Sequence, residues 1–178
     1  LTIGGFYKEI EDLIFKRDGH KILNYEKEGF PKNLQGFWLD QPENNPYTTE
    51  VRGFEVEWQT NLNWLPKPFD GFVINANYSH IWSETSFPRS FVVSKKIPVF
   101  PFVETTVIDT FRVGNMPDQA DDIANLALGY DKGPFSARLS MLYQGRTLSS
   151  VGERPEQDGF TADLLRWDLS VKYRLTPH

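Results

Sequence analysis

Two-residue alternation is the feature of this chain that leaves the fewest folds open. Successive side chains of a strand point to opposite faces, so alternating apolar and polar residues mark a strand with two chemically different sides. In Val51–Leu65 one side carries Phe54, Val56, Trp58, Thr60, Leu62 and Trp64, and the other Gly53, Glu55, Glu57, Gln59, Asn61 and Asn63. The next run places Phe72, Ile74, Ala76, Tyr78, His80 and Trp82 together against Asn75, Asn77, Ser79 and Ser83, with Val73 and Ile81 as exceptions. Ala124–Tyr130 and Phe135–Tyr143 repeat the pattern around the turn Asp131-Lys132-Gly133-Pro134. A last strand has Leu165, Trp167, Leu169, Val171, Tyr173 and Leu175 on one side and Arg166, Asp168, Ser170, Lys172 and Arg174 on the other. The first, Leu1–Phe15, is less regular, because Glu9 and Glu11 interrupt the side started by Leu1, Ile3 and Tyr7. Either a bulge resets that strand or it leaves the apolar zone there.

The connections differ in kind. Pro66–Gly71 and Asp131–Pro134 are short and rich in turn formers. Asp18–Glu50, Glu84–Gln119 and Ser149–Leu164 are long and all fall at the same end of the sheet. Loops of that length are uncommon in compact domains unless they carry function. Within Glu84–Gln119 the runs Phe91-Val92-Val93 and Thr105–Phe111 favour a hairpin beyond the end of the sheet.

Short turns on one side, long loops on the other and Trp and Tyr towards strand ends are marks of a transmembrane barrel. No stretch approaches the roughly 18 apolar residues of a spanning helix, but a barrel strand needs only about 9–11, alternately apolar. The mean hydropathy of -0.46 fits such a strand protein. Aromatics at 15% and only 2 methionines favour strands. The net charge of -5 gives no basic footprint for nucleic acid. With 0 cysteines, disulfides and thiolate metal sites are excluded. The expected fold is therefore all-β: about six antiparallel strands of a larger transmembrane β-barrel, since six are too few to close one. Leu1 at the start and Leu175–His178 at the end lead to the expectation of a piece of a longer protein. Two other readings stay open, a different outer-membrane barrel (an adhesin or secretion component) and a soluble β-sheet binding module.

Five segments resemble TonB-dependent outer-membrane receptors, particularly the large ones of Bacteroidota. Gly5–Ile14 is similar to the "FYK-x-I-x-D" strand, and Val51–Trp58 to "RG-hydrophobic-E". Leu65-Pro66 with Gly71–His80 is similar to the "LP…G…NxNYTH" hairpin. Asn125–Asp131 with Phe135–Ser140 is similar to "NL-x-LGYD…GFSARLS", and Leu165–Tyr173 to "LRWDLSVKY". The match follows the strands in order and leaves the long loops unmatched. The resemblance implies a bacterial outer-membrane location, a 22-stranded barrel and an N-terminal plug. It also implies TonB-driven import of a scarce nutrient (siderophore, cobalamin, glycan or peptide). Residues 1–178 would then be a barrel portion without plug, TonB box or final strands. The expected partners are outer-membrane lipid, the rest of the barrel and plug, TonB through the missing N-terminal region, and an unidentified ligand.

No catalytic constellation is visible, and no cofactor or metal site is expected. His20, His80 and His178 are scattered, and Asp121-Asp122 reads as a solvated loop-to-strand boundary. Arg138, Arg146, Arg166, Lys172 and Arg174 are expected on the lumen side. They would form either a basic wall for anionic cargo or plug, or, as preferred here, solvated charge balanced by acids such as Glu55 and Glu57. In the first long loop Tyr25, Phe37, Trp38 and Tyr47, with Phe30, would either contact ligand or form a local core.

Overall fold

The computed structural model describes residues 1–96, 98, 100, 103–152 and 154–175; the side chains of residues 18–20 and 105 lie outside that description. The expectations placed on the His20 side chain and on His178 therefore fall outside the described residues. The strands are, in chain order, β1 (Thr2–Ile10), β2 (Ile14–Lys21), β3 (Trp38–Asn44), β4 (Thr49–Asn61), β5 (Phe72–Lys96), β6 (Val103–Gly114), β7 (Asp122–Lys132), β8 (Phe135–Gln144), β9 (Thr147–Ser150), β10 (Gly159–Thr161) and β11 (Leu164–Tyr173).

Six of them form the wall, in the order β1-β4-β5-β7-β8-β11, each antiparallel to its neighbour. These are the six strands that the alternation marks. Their register carries the two-faced pattern across the sheet. Trp58, Ala76, Leu126, Met141 and Trp167 form one row, and Leu128, Leu139 and Leu169 lie in the next. On the opposite face Glu57, Asn77, Asn125, Leu142 and Arg166 are aligned. A one-residue slip would reverse every side chain, so coherence over six strands fixes the register.

The apolar face has no second layer on it among the described residues. Leu169 is 72% exposed and Leu165, Trp167 and Val171 are all more than half exposed. A soluble sandwich would bury this face against another sheet, whereas lipid covers it in a membrane. Aromatic rings collect at both ends. Phe54, Tyr78, His80 and Trp82 cluster at one end, with the His80 and Trp82 rings 4.3 Å apart. Tyr78 and His80 also bond Asp122, at 2.5 and 2.7 Å. At the other end Phe69, Phe72, Tyr130 and Phe135 form a chain of ring contacts. Phe72 to Trp82 runs about 34 Å along β5, which at a tilt of about 40° rises about 26 Å. That is the height of the apolar band of an outer-membrane barrel, roughly 25 Å, with an aromatic girdle at each margin.

The buried core lies beyond the wall. The long connections fold into strands of their own: β2 pairs with β3, β9 with β10, and β6 with the outer part of β5. Phe15, Phe87, Leu148 and Val151 pack together as a core drawn from all three connections. Phe15 and Phe87 have ring centroids 5.0 Å apart. Asn45 donates to the Thr85 hydroxyl at 2.9 Å, and Thr49 and Thr85 are 2.7 Å apart, all three buried. The hairpin expected from Phe91-Val92-Val93 and Thr105–Phe111 forms, with Val92 opposite Val107.

Three expectations are corrected. The first strand does not continue to Phe15: Asp12 has a φ of 53° and turns the chain into the separate β2–β3 sheet. The second strand ends at Asn61, so Trp64 belongs to the turn at the short-loop end and not to the lipid side of the strand. Arg146 lies past the end of β8 and sits over the Phe160 ring at 5.0 Å, so it belongs to the outer layer and not to the lumen wall.

Candidate functional site

The chemically richest place is a 680 Å³ cavity between the β2–β3 region and the β5–β6 hairpin. Its volume is within the range of about 300–1,000 Å³ usual for ligand pockets. Each wall has a local reason to be there. The segment after β2 is held by backbone bonds, Ile22 N–H to Phe37 O at 3.0 Å and Gly36 N–H to Ile22 O at 2.8 Å. Glu28 accepts from the Leu23 and Asn24 amides at 3.1 and 2.9 Å, closing a turn that brings Lys27 towards β6. The opposite wall is the β5–β6 ladder, in which Pro88 faces Phe111 and Ser90 faces Asp109.

Charge in the cavity is internally matched. Arg17 pairs with Glu43 at 3.3 Å, and Gln41 donates to the same carboxylate at 3.2 Å. Lys27 hydrogen-bonds Asp109, which also accepts from Ser90 at 2.8 Å. The Lys27 bond, then the Ser90 bond, hold the Asp109 carboxyl below its ordinary value, and the same partnership raises Lys27. Beside these groups the Tyr47 and Phe111 rings stand 5.7 Å apart, tilted by 54°, and Phe30 completes the apolar lining.

Of the loop aromatics named from the sequence, Tyr47 and Phe30 line this cavity. Phe37, Trp38 and Tyr25 do not. Phe37 and Trp38 are strongly exposed, with Lys21 over the Trp38 ring at 5.8 Å, and the Tyr25 hydroxyl donates to Glu26 at 3.0 Å. Phe111, Asp109 and Glu43 escaped the sequence reading. Phe111 closes a run noted only for its strand propensity, and Lys27 and Asp109 are 82 residues apart, with no local signature.

A second tie joins the outer layer together. Arg112 on β6 donates two hydrogen bonds to Asp158, at 3.0 and 2.7 Å, and Asp158 also accepts from the Gly152 amide at 3.0 Å. Arg112 stacks over Phe87 at 5.9 Å.

On the polar face Arg138, Arg166 and Lys172 share a side of β8 and β11, and Arg174 follows directly after β11. They do not make one uncompensated patch. Arg138 lies 3.8 Å from Asp131, and Arg166 lies 2.9 Å from Asp168. Glu57, Gln59, Asn75, Asn77 and Asn125 continue this face, with Asn125 bonding Asn77 at 2.8 Å. At the short-turn end Lys132 bonds Asp70 and lowers that carboxyl, while the Tyr130 hydroxyl donates to Pro68 O at 3.0 Å. Among the described residues no group of three His, Asp or Glu side chains is placed to hold a metal ion.

No curated protein and no solved structure matches the chain. The family model described as TonB dependent receptor-like, β-barrel, matches residues 1–178. With the two-faced wall, the paired aromatic girdles and the outer layer in place, that match over the whole length makes the chain a member of the TonB-dependent receptor β-barrel family, an outer-membrane receptor of bacteria.

Proposed function

We propose that these six strands are the later part of the barrel wall of a larger receptor, of the Bacteroidota type, that imports a scarce nutrient: a siderophore, cobalamin, glycan or peptide. The observation that carries this reading is the asymmetry of the wall. One end has only short turns, while the other bears a packed layer holding a 680 Å³ cavity. Ligand capture on rigidly held outer loops fits that arrangement. The two sheet edges, β1 and β11, support membership of a larger barrel, because lipid cannot satisfy open backbone groups. Further strands of a 22-stranded barrel would pair with them, and an N-terminal plug would face the Arg138, Arg166 and Lys172 side. TonB would act through a box near the N-terminus of the complete receptor.

The test uses the full-length receptor with residues 86–113 replaced by a short turn. The variant should reach the outer membrane as a heat-modifiable barrel and lose uptake of the nutrient that the native receptor supports. Undiminished uptake by the variant, or uptake by the native receptor that persists without TonB, would refute the proposal.

A further inference from the structure

Resting on that reading, we infer that the cavity between the β2–β3 region and the β5–β6 hairpin binds a neutral, polyhydroxylated ring compound, a short uncharged oligosaccharide. The inference comes from the charge balance of the lining. Three carboxylates, Glu28, Glu43 and Asp109, stand against three cations, Arg17, Lys27 and Arg89. Each carboxylate already has a donor: Glu43 has Arg17 and Gln41, Asp109 has Lys27 and Ser90, and Glu28 has two backbone amides.

A strongly anionic ligand, a ferric tris-catecholate among them, would meet no excess of positive charge. A cationic ligand would have to displace ion pairs that are already made. A wholly apolar ligand would bury those paired groups without replacing the water that they bond, at a desolvation cost. A ligand with many hydroxyls suffers none of these penalties. Each hydroxyl both donates and accepts, so it can add to a carboxylate or guanidinium that retains unused hydrogen-bonding capacity. Its C–H face needs a flat apolar surface, and Tyr47 and Phe111 provide two tilted rings, 38% and 55% exposed, at the margin of the polar groups. An aromatic ring beside fixed planar donors and acceptors suits a pyranose better than an ion or a lipid tail. A peptide that bound by adding a strand to an exposed sheet edge would place its main contacts outside this cavity.

The test probes the purified full-length receptor in detergent against an array of neutral oligosaccharides, acidic oligosaccharides and ferric siderophores. The expected result is binding to one or more neutral oligosaccharides. Phe111→Leu and Tyr47→Ala should each weaken it at least tenfold, while Tyr47→Phe, which keeps the ring, should stay within threefold of native. Heat-modifiable mobility confirms that every variant is folded. Binding confined to acidic sugars or to siderophores would overturn the inference. So would neutral-sugar binding that survives both ring deletions, or an array with no bound sugar. The receptor reading fails separately. TonB-dependent uptake of any nutrient upholds it even if the array is blank, and absence of such uptake sinks it even if a sugar binds.

Discussion

Truncating Arg112 to alanine should loosen the outer layer while leaving the barrel wall intact. The side chains of Arg112 and Asp158 are only 12% and 9% exposed, and the two are joined by two hydrogen bonds. Removing the guanidinium leaves the carboxylate with the Gly152 amide as its remaining donor in the structure. Breaking a buried ion pair from one side costs about 3–5 kcal/mol. The residual exposure and that amide favour the lower end, about 3 kcal/mol, which is roughly a 150-fold change in the opening equilibrium. Amide hydrogen exchange in the full-length receptor reads this directly. The peptide spanning Gly152 and β10 should exchange about 150-fold faster in Arg112→Ala, whereas β7 and β8 should be unchanged. Arg112→Lys keeps the charge but loses the two-pronged geometry, so it should fall between native and alanine. The double variant Arg112→Leu with Asp158→Leu removes both charges and should exchange more slowly than either single leucine variant. Exchange within threefold of native in Arg112→Ala, or a double variant worse than both singles, would refute the reasoning.

Three further outcomes follow from the same geometry. Leu139→Arg places a charge on the lipid face of β8 and should lower barrel stability by about 2–4 kcal/mol in a denaturant titration in bilayers, whereas Arg138→Gln on the opposite face should stay near native. Gly53→Ala should lower the heat-modification temperature, because an added Cβ would stand 2.6 Å from the His80 carbonyl oxygen and 2.7 Å from the Phe6 ring, an overpacking worth about 1–3 kcal/mol. The Lys27–Asp109 bond sets a pH response. Asp109 is held below its ordinary 3.8, so its contribution is complete above that value and is lost as pH falls through the lowered one. Lys27 is raised above 10.5, so its contribution is complete below that value and is lost as pH rises through the raised one. Protection of the 23–28 turn should therefore fall at both extremes, with a small amplitude because the pair is exposed; a Lys27→Met variant with an unchanged profile would remove this account.

The wall was legible because lipid and lumen act on every second residue, and that writes itself into the sequence as alternation. The limits of the wall were not. The period continues through Leu62 and Trp64, but the Leu62 amide bonds Phe72 O and closes the turn, so the pattern outlasts the ladder. Arg146 likewise keeps the parity of Arg138, yet the Gly145 amide bonds Asp122 O and the chain departs into the outer layer. Glu9 and Glu11 did signal the end of β1, and the reset occurs at Asp12. The cavity was least legible. Tyr47 could be named as an aromatic in a loop, but its neighbour Phe111 arrives through the β5–β6 pairing. Arg112 and Asp158 meet across separate connections, and no spacing rule announces such a pair.

The 25-residue length of β5 also governs how this sheet can be assembled. Its partner on one side changes from β7, last paired at His80, to β6, first paired at Thr85. The β5–β6 ladder joins segments separated only by residues 97–102, so its pairing is local in sequence and needs little loop closure. Once Thr85 is fixed against Gly114, only residues 115–121 separate that clamp from Asp122, the residue that pairs with His80. So short a tether leaves β7 little freedom to slide. The β5–β6 pairing thereby constrains the lipid-facing parity of β7, and the ladders of β7 with β8 and of β8 with β11 carry that parity across the rest of the wall.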